Sequence, residues 1–322
     1  MTEVRDTFAC FGGECSVIVD DGPGGEPEAA SAVASAKRSL LEWHGRFTRF
    51  DPGSELSQLN ADPRAQVPVS PLLRRIVDVA VQAACETGGL VDPTLVDEIE
   101  AAGYDGDLSE LTMVATPLAR ALALAPPRAP AGPDPSARYL ELQADRRTSS
   151  VTRPPGVKLD AGGIAKGVFA DELAAMLASH GAFVVDCCGD LRLGGRAGAV
   201  RGVKVESPFD GTTALHAFAV AEGAFATSGI GKRAWLDARG RPAHHLLDPA
   251  SGRPAFTGVV QVTALAPTAA EAEMRSKAAL LSGPDGAARW LPHGGVVVLD
   301  DGSYRVLQQT APGAPRPALA AA

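Results

Sequence analysis

Five cysteines and six histidines in 322 residues leave little material for a disulfide framework or a zinc site. They never fall at zinc-ligand spacings. Adjacent Cys187 and Cys188 are poor disulfide partners and read as small core residues. No apolar run approaches the ~20 residues of a membrane span, and the first residues lack a basic stretch followed by an apolar one. The expected compartment is therefore the cytosol, with no membrane partner. A formal net charge of −8, without a compensating Lys/Arg block, argues against a nucleic-acid partner. G-x-S-x-G and G-x-x-x-x-G-K-[ST] are both missing, which removes the nucleophile elbow and the P-loop. What remains, 45% hydrophobic and 21% charged residues, is the composition of an ordinary globular protein.

The most informative stretch is V157-K-L-D-A-G-G-I-A-K-G-V-F-A-D171. An apolar run ends at Asp160, two glycines follow, and an amphipathic segment carries Lys166 and Asp171. A Gly-Gly turn into a helix start leaves backbone N–H groups free and aims a positive dipole end at its guest. Lys166 adds a full positive charge, so a phosphate or pyrophosphate suits the place. The same residues also fit a tight strand-to-helix turn in which glycine serves only the backbone angles.

Around this stretch the chain alternates strands and helices. Phe8 to Val19 reads as one strand with a break at Gly12-Gly13, and Ala29 to Phe47 and Pro71 to Thr87 as helices. Tyr139 to Gln143 and Val151-Thr152 read as a hairpin about Asp145–Arg147. Helices follow at 165–180 and 268–281, the second opening on a capping box, Thr268 with Glu271. Strands are expected at 182–186, at 188–195, within 200–226 and at 296–300. The pattern gives a mixed α+β class in one domain over residues 1–308, with a Pro-rich surface loop at 124–137 and a disordered tail at 309–322.

His244-His245 is the conspicuous histidine pair. On a strand their side chains point to opposite faces, so they cannot chelate one metal, and one of them can face a pocket. H245-L-L-D-P-A-S-G252 then ends in a turn. T227-S-G-I-G-K-R233 is a second glycine-rich loop with two cations beyond it, by itself weak evidence of an anion site.

Taken in order, F47-T-R-F-D-P-G-S-E-L-S-Q-L-N60, V91-D-P-T-L95, L159-D-A-G-G-I-A-K-G with D171, G189-D190, A226-T-S-G229 and H245-L-L-D-P-A-S-G252 resemble the ApbE family of flavin transferases, the FAD:protein FMN transferases. The match spans roughly residues 8–285. The resemblance implies a fold of antiparallel sheets and packed helices that binds FAD and cleaves its pyrophosphate. FMN would pass to a Ser/Thr hydroxyl of an acceptor protein, with AMP released. It further implies Asp160 and Lys166 as FAD contacts, and Gly89, Leu90 and Val91 as a flavin-adenosine contact segment. Phe11 would cover the cofactor and Phe50 stack on it. The Gly163 carbonyl would help hold Mg2+, and His245 would serve the transfer.

One departure stands out. The family motif T-A-x-x-A-D-x-x-x-T becomes T268-A-A-E-A-E-M-R-S-K277, with Glu273 at the aspartate position and Lys277 at the threonine position. Glu273 can still ligate a metal, but an ammonium has no lone pair to donate. At i and i+4 the two side chains can pair. Either Lys277 replaces Mg2+ and acts on the pyrophosphate, or the metal-dependent transfer is lost and flavin binding remains. Ser276 could supply a hydroxyl only through a shifted helix register. Gly231, where the family carries an aromatic, removes a wall from the flavin site. Transfer to a protein hydroxyl is the leading expectation. The alternatives are a non-catalytic flavin-binding protein and a hydrolase giving FMN and AMP.

Overall fold

The backbone is organised by one eight-stranded antiparallel sheet that runs in chain order. The computed structural model describes residues 3–106, 115–237 and 239–309. The strands are Glu3–Cys10 (β1), Gly13–Asp20 (β2), Ala182–Cys187 (β3), Asp190–Gly194 (β4), Gly223–Gly229 (β5), Val259–Ala266 (β6), Gly295–Leu299 (β7) and Tyr304–Leu307 (β8). Of four main helices, Glu26–Arg46 (α1), Ala165–Leu177 (α3) and Ala269–Leu281 (α4) pack against it, while Pro71–Glu86 (α2) packs on α3, α4 and a small separate sheet. This is the mixed α+β architecture that the alternation of patterns predicts.

Three expected elements change form. The single strand over Phe8–Val19 is a hairpin, β1 with β2, closed at Cys10↔Gly13. Its two turn residues, Phe11 and Gly12, both have positive φ, 56° and 70°. Such a two-residue turn matches the twist of the flanking strands. Glycine adopts that conformation freely, whereas Phe11 does so against its own Cβ. The expected strand at Tyr139 is a 3-10 turn, Arg138–Glu141, and the hairpin beside it joins Gln143–Asp145 to Ser150–Thr152. The third helix stops at Leu177 rather than His180. The Pro-rich stretch is irregular but anchored: Ala129 N–H donates to Phe256 O at 3.2 Å, Ala131 N–H to Leu281 O at 2.9 Å, and Gly132 N–H to Asp248 at 2.8 Å. The tail expected to be disordered lies, from residue 310 on, outside the described residues.

A second two-residue turn, Cys188–Gly189, joins β3 to β4 with φ of 57° and 94°. It abuts the first: a Cβ at Gly13 would lie 2.4 Å from Cys188 Sγ.

Helices α3 and α4 cross closely, and this crossing sets the site. A Cβ at Gly167 would come within 2.7 Å of the backbone at Ala269 and Ala270, so only glycine fits without a shift. Four residues on, Asp171 accepts hydrogen bonds from Ala269 N–H at 2.8 Å and Ala270 N–H at 3.0 Å, capping the start of α4. Thr268 completes the cap by accepting from Glu271 N–H at 3.2 Å, as the capping-box spacing predicts. Phe169, Leu173, Val185 and Leu40 are buried in the core that backs α3; Phe225, Val262, Leu280 and Val296 form a second core.

Candidate active site

The Asp160–Lys166 stretch lies in a cleft of about 1470 Å³, counting the part open to solvent. Asn60 positions its start. Its amide donates to Leu159 O at 2.9 Å and its carbonyl accepts from Leu159 N–H at 2.8 Å. Asp160 then closes the turn by accepting from Gly162 N–H at 2.8 Å. Its other oxygen stands 3.7 Å from Nε of Arg49, and the Arg49 guanidinium lies 4.3 Å from the centre of the Phe50 ring and 5.0 Å from that of Tyr104.

The cleft gathers most of the expected site. Phe11, Phe50, Leu90, Val91, Asp160, Gly163, Lys166, His245 and Lys277 all line it. Gly89 does not: with φ of 86°, it would direct a Cβ into Tyr139 and Pro133. Gly231 is also absent from the lining, and a Cβ there would meet Leu118 at 3.4 Å. Arg49 lies within the Phe47–Asn60 motif without being singled out there, and nothing in the sequence marks Tyr104 as a cleft residue, because its place depends on packing between distant segments.

Behind the lining lies a buried quartet of charges. Lys166 Nζ donates to Asp190, at the first residue of β4, and to Glu273 Oε1 at 3.0 Å. Lys277 Nζ donates to the same Oε1 at 2.9 Å, and Gly167 N–H to Glu273 Oε2 at 2.9 Å. Lys166 and Lys277 reach the cleft; Glu273 and Asp190 do not line it. Burial works against the Glu273 carboxylate, but the two ammonium groups and the Gly167 amide outweigh it and hold its pKa low. For Asp190 burial prevails over Lys166, and its pKa is raised. Burial would lower the Lys166 pKa, yet the two carboxylates prevail and keep the ammonium charged. Ser276 faces away from this group, paired with Ser228 at 2.8 Å and donating to Glu273 O at 3.0 Å.

The histidines divide as alternation predicts. His244 ends the strand Pro242–His244 and is buried, its ring edge-on to Phe256 at 4.7 Å between centroids. His245, one residue further, lines the cleft, and its Nδ1 has no hydrogen-bond partner among the described residues. Burial, then the nearby charge of Arg233, holds its pKa well below the ordinary value, so the ring is neutral.

The family model described as ApbE matches residues 11–299. The chain belongs to the ApbE family. The FAD:protein FMN transferase of Rhodobacter capsulatus is 29% identical over 312 residues, covering 94% of this chain and 56% of the relative. That of Klebsiella pneumoniae (strain 342) is 27% identical over 277 residues, covering 84% and 76%. The chain thus spans little more than half the length of the first of these relatives. The ApbE protein of Thermotoga maritima MSB8 superposes with a TM-score of 0.76 at 23% identity, covering 95% of this chain and 97% of that one. The flavin transferase ApbE of Vibrio cholerae gives 0.71 at 21%, covering 96% and 98%. At these identities the two structures share the fold.

An ApbE-family site raises the question of Mg2+, a hard cation that needs oxygen donors in a near-octahedral shell. The donors here do not fit it. Both oxygens of Glu273 already accept from Lys166, Lys277 and Gly167. Lys277 adds a positive charge and no lone pair, and its Cε would lie 3.9 Å from a Cβ on Gly163, beside the expected carbonyl ligand. Among the described residues no group of three or more His, Cys, Asp or Glu side chains is placed to hold a metal ion.

Proposed function

We propose that this protein binds FAD in the cleft and transfers its FMN moiety to a Ser or Thr hydroxyl of an acceptor protein. The hydroxyl gives its proton to His245 while its oxygen bonds to the FMN phosphorus. The bond from that phosphorus to the bridging oxygen breaks, and AMP leaves with that oxygen. One observation carries the reading: a neutral imidazole, His245, and two ammonium groups, Lys166 and Lys277, face one cleft. A neutral imidazole can accept a proton in the reaction. The ammonium groups act on charge that develops on the phosphoryl oxygens.

Lys277 takes the neutralising part that a divalent cation would otherwise have. A lysine is a good phosphate partner, though it imposes no octahedral geometry. Incubating the protein with FAD and a Ser/Thr-containing acceptor peptide, with Mg2+ or with EDTA, tests this. The expected result is AMP release and a peptide mass increased by the FMN group in both buffers. AMP without peptide modification identifies water as the acceptor. No AMP in either buffer, with FAD still bound, leaves a binding protein and rejects transfer.

A further inference from the structure

The buried quartet cancels its own charge. With all four groups ionised, Lys166 and Lys277 are balanced by Asp190 and Glu273; protonating Asp190 leaves a single positive charge. Arg49 stands 3.7 Å from both Glu100 and Asp160. A dianionic pyrophosphate therefore needs another cation, and Arg233 is present in the same lining. Among the described residues Arg233 makes no ion pair. One guanidinium nitrogen donates to Phe11 O at 2.9 Å, in the left-handed turn between β1 and β2. An arginine fork carries five N–H donors, and the rest of this one remains for a ligand.

Local topology explains why it stands there. Ala234 pairs with His244 at the end of a short antiparallel ladder, so Arg233 and His245 are the next residues outward on the two strands. Cation and imidazole are thereby held side by side at the cleft.

We infer that Arg233 is a substrate contact and positioning residue: its guanidinium binds a phosphoryl oxygen of FAD, ties the Phe11–Gly12 turn to the cleft and keeps His245 in its proton-accepting form. This rests on the transfer reading above. Burial and the charges of Arg233, Lys277 and Lys166 act together on His245, beside the buried neutral ring of His244. Removing Arg233 therefore raises the pKa of the imidazole.

The experiment uses the whole chain and two variants, Arg233→Gln and Arg233→Lys, each checked for folding by thermal unfolding. FAD binding is followed by quenching of tryptophan fluorescence, since Trp43 lines the cleft, and AMP release is measured against pH. Arg233→Gln is expected to weaken FAD at least tenfold and to move the acid limb of kcat/KM to higher pH. Arg233→Lys is expected to return the limb towards its original place while recovering only part of the affinity. A role confined to holding the turn would weaken both variants equally and leave the limb unmoved, which overturns the inference. FAD affinity within twofold of the parent in Arg233→Gln overturns it too, with the transfer reading intact. A parent protein that binds no FAD removes both.

Discussion

Lys166 and Lys277 reach the same atom, Oε1 of Glu273, at 3.0 and 2.9 Å from two different helices. One carboxylate buried behind the cleft thus aligns two ammonium groups that open onto it. Replacing Glu273 by Gln leaves those ammonium groups facing each other without their shared counter-charge. Breaking a buried pair from one side costs about 3–5 kcal/mol, and a loss of that size in a urea titration is expected. AMP release should fall with it, because Lys277 loses its charged partner and Lys166 keeps only Asp190.

Lys277→Thr gives the opposite kind of result. Glu273 keeps Lys166 and the Gly167 amide, so stability changes little. A neutral oxygen donor replaces the ammonium beside Gly163, and turnover should become dependent on added Mg2+. Titrating Mg2+ into the parent and the variant checks this. A parent protein already silenced by EDTA would reject the assignment of Lys277 as the resident cation.

Gly167→Ala tests the helix crossing. The added methyl meets backbone at Ala269 and Ala270 rather than a movable side-chain end. Overpacking of this kind costs about 1–3 kcal/mol. Separation of α3 from α4 should also lengthen the Gly167–Glu273 bond and lower AMP release beyond what the stability loss explains, measured well below the melting temperature.

Asp171→Ala removes two bonds to the first amides of α4. Loss of such a cap costs about 0.5–2 kcal/mol. The expected signature is early exchange of the Ala269 and Ala270 amides, read by hydrogen exchange, with the sheet core unaffected.

His244 provides a pH test separate from catalysis. Burial lowers its pKa to about 3. The folded-state value lies below the unfolded one, so the unfolded chain binds the proton first. Its contribution is intact above about pH 6.5 and is lost progressively as pH falls towards 3, at about 1.4 kcal/mol per unit. Against His244→Gln, the stability difference measured by denaturation should shrink by about 2 kcal/mol between pH 6.5 and 5.

Much of the site was legible in the sequence because its pieces are local. The Asp160–Gly163 turn, the Thr268 cap and the alternation at His244-His245 each depend on neighbours a few residues apart. Other features depend on separations that no periodicity encodes. Lys166 meets Asp190 only because the β3–β4 hairpin returns beneath α3, and Arg49 meets Tyr104 only through packing of separate segments. The β1–β2 hairpin reads as one broken strand for a different reason. Its first turn residue is phenylalanine where the chain geometry favours glycine or asparagine, so Gly12-Gly13 reads as a break within a strand rather than as a hairpin turn. Glu273 is legible as a site residue but not as one enclosed behind two lysines.

The sheet's order has a consequence for how the molecule forms. β2 and β3 are adjacent, yet residues 21–181 lie between them, and that excursion carries Trp43, Phe50, Asp160 and Lys166. Other lining residues, among them Arg233, His245 and Lys277, come from the later chain. Closing so long a connection is entropically unfavourable and slow compared with zipping up the β5–β8 meander. During refolding, sheet signal should therefore rise before the cleft acquires affinity for FAD.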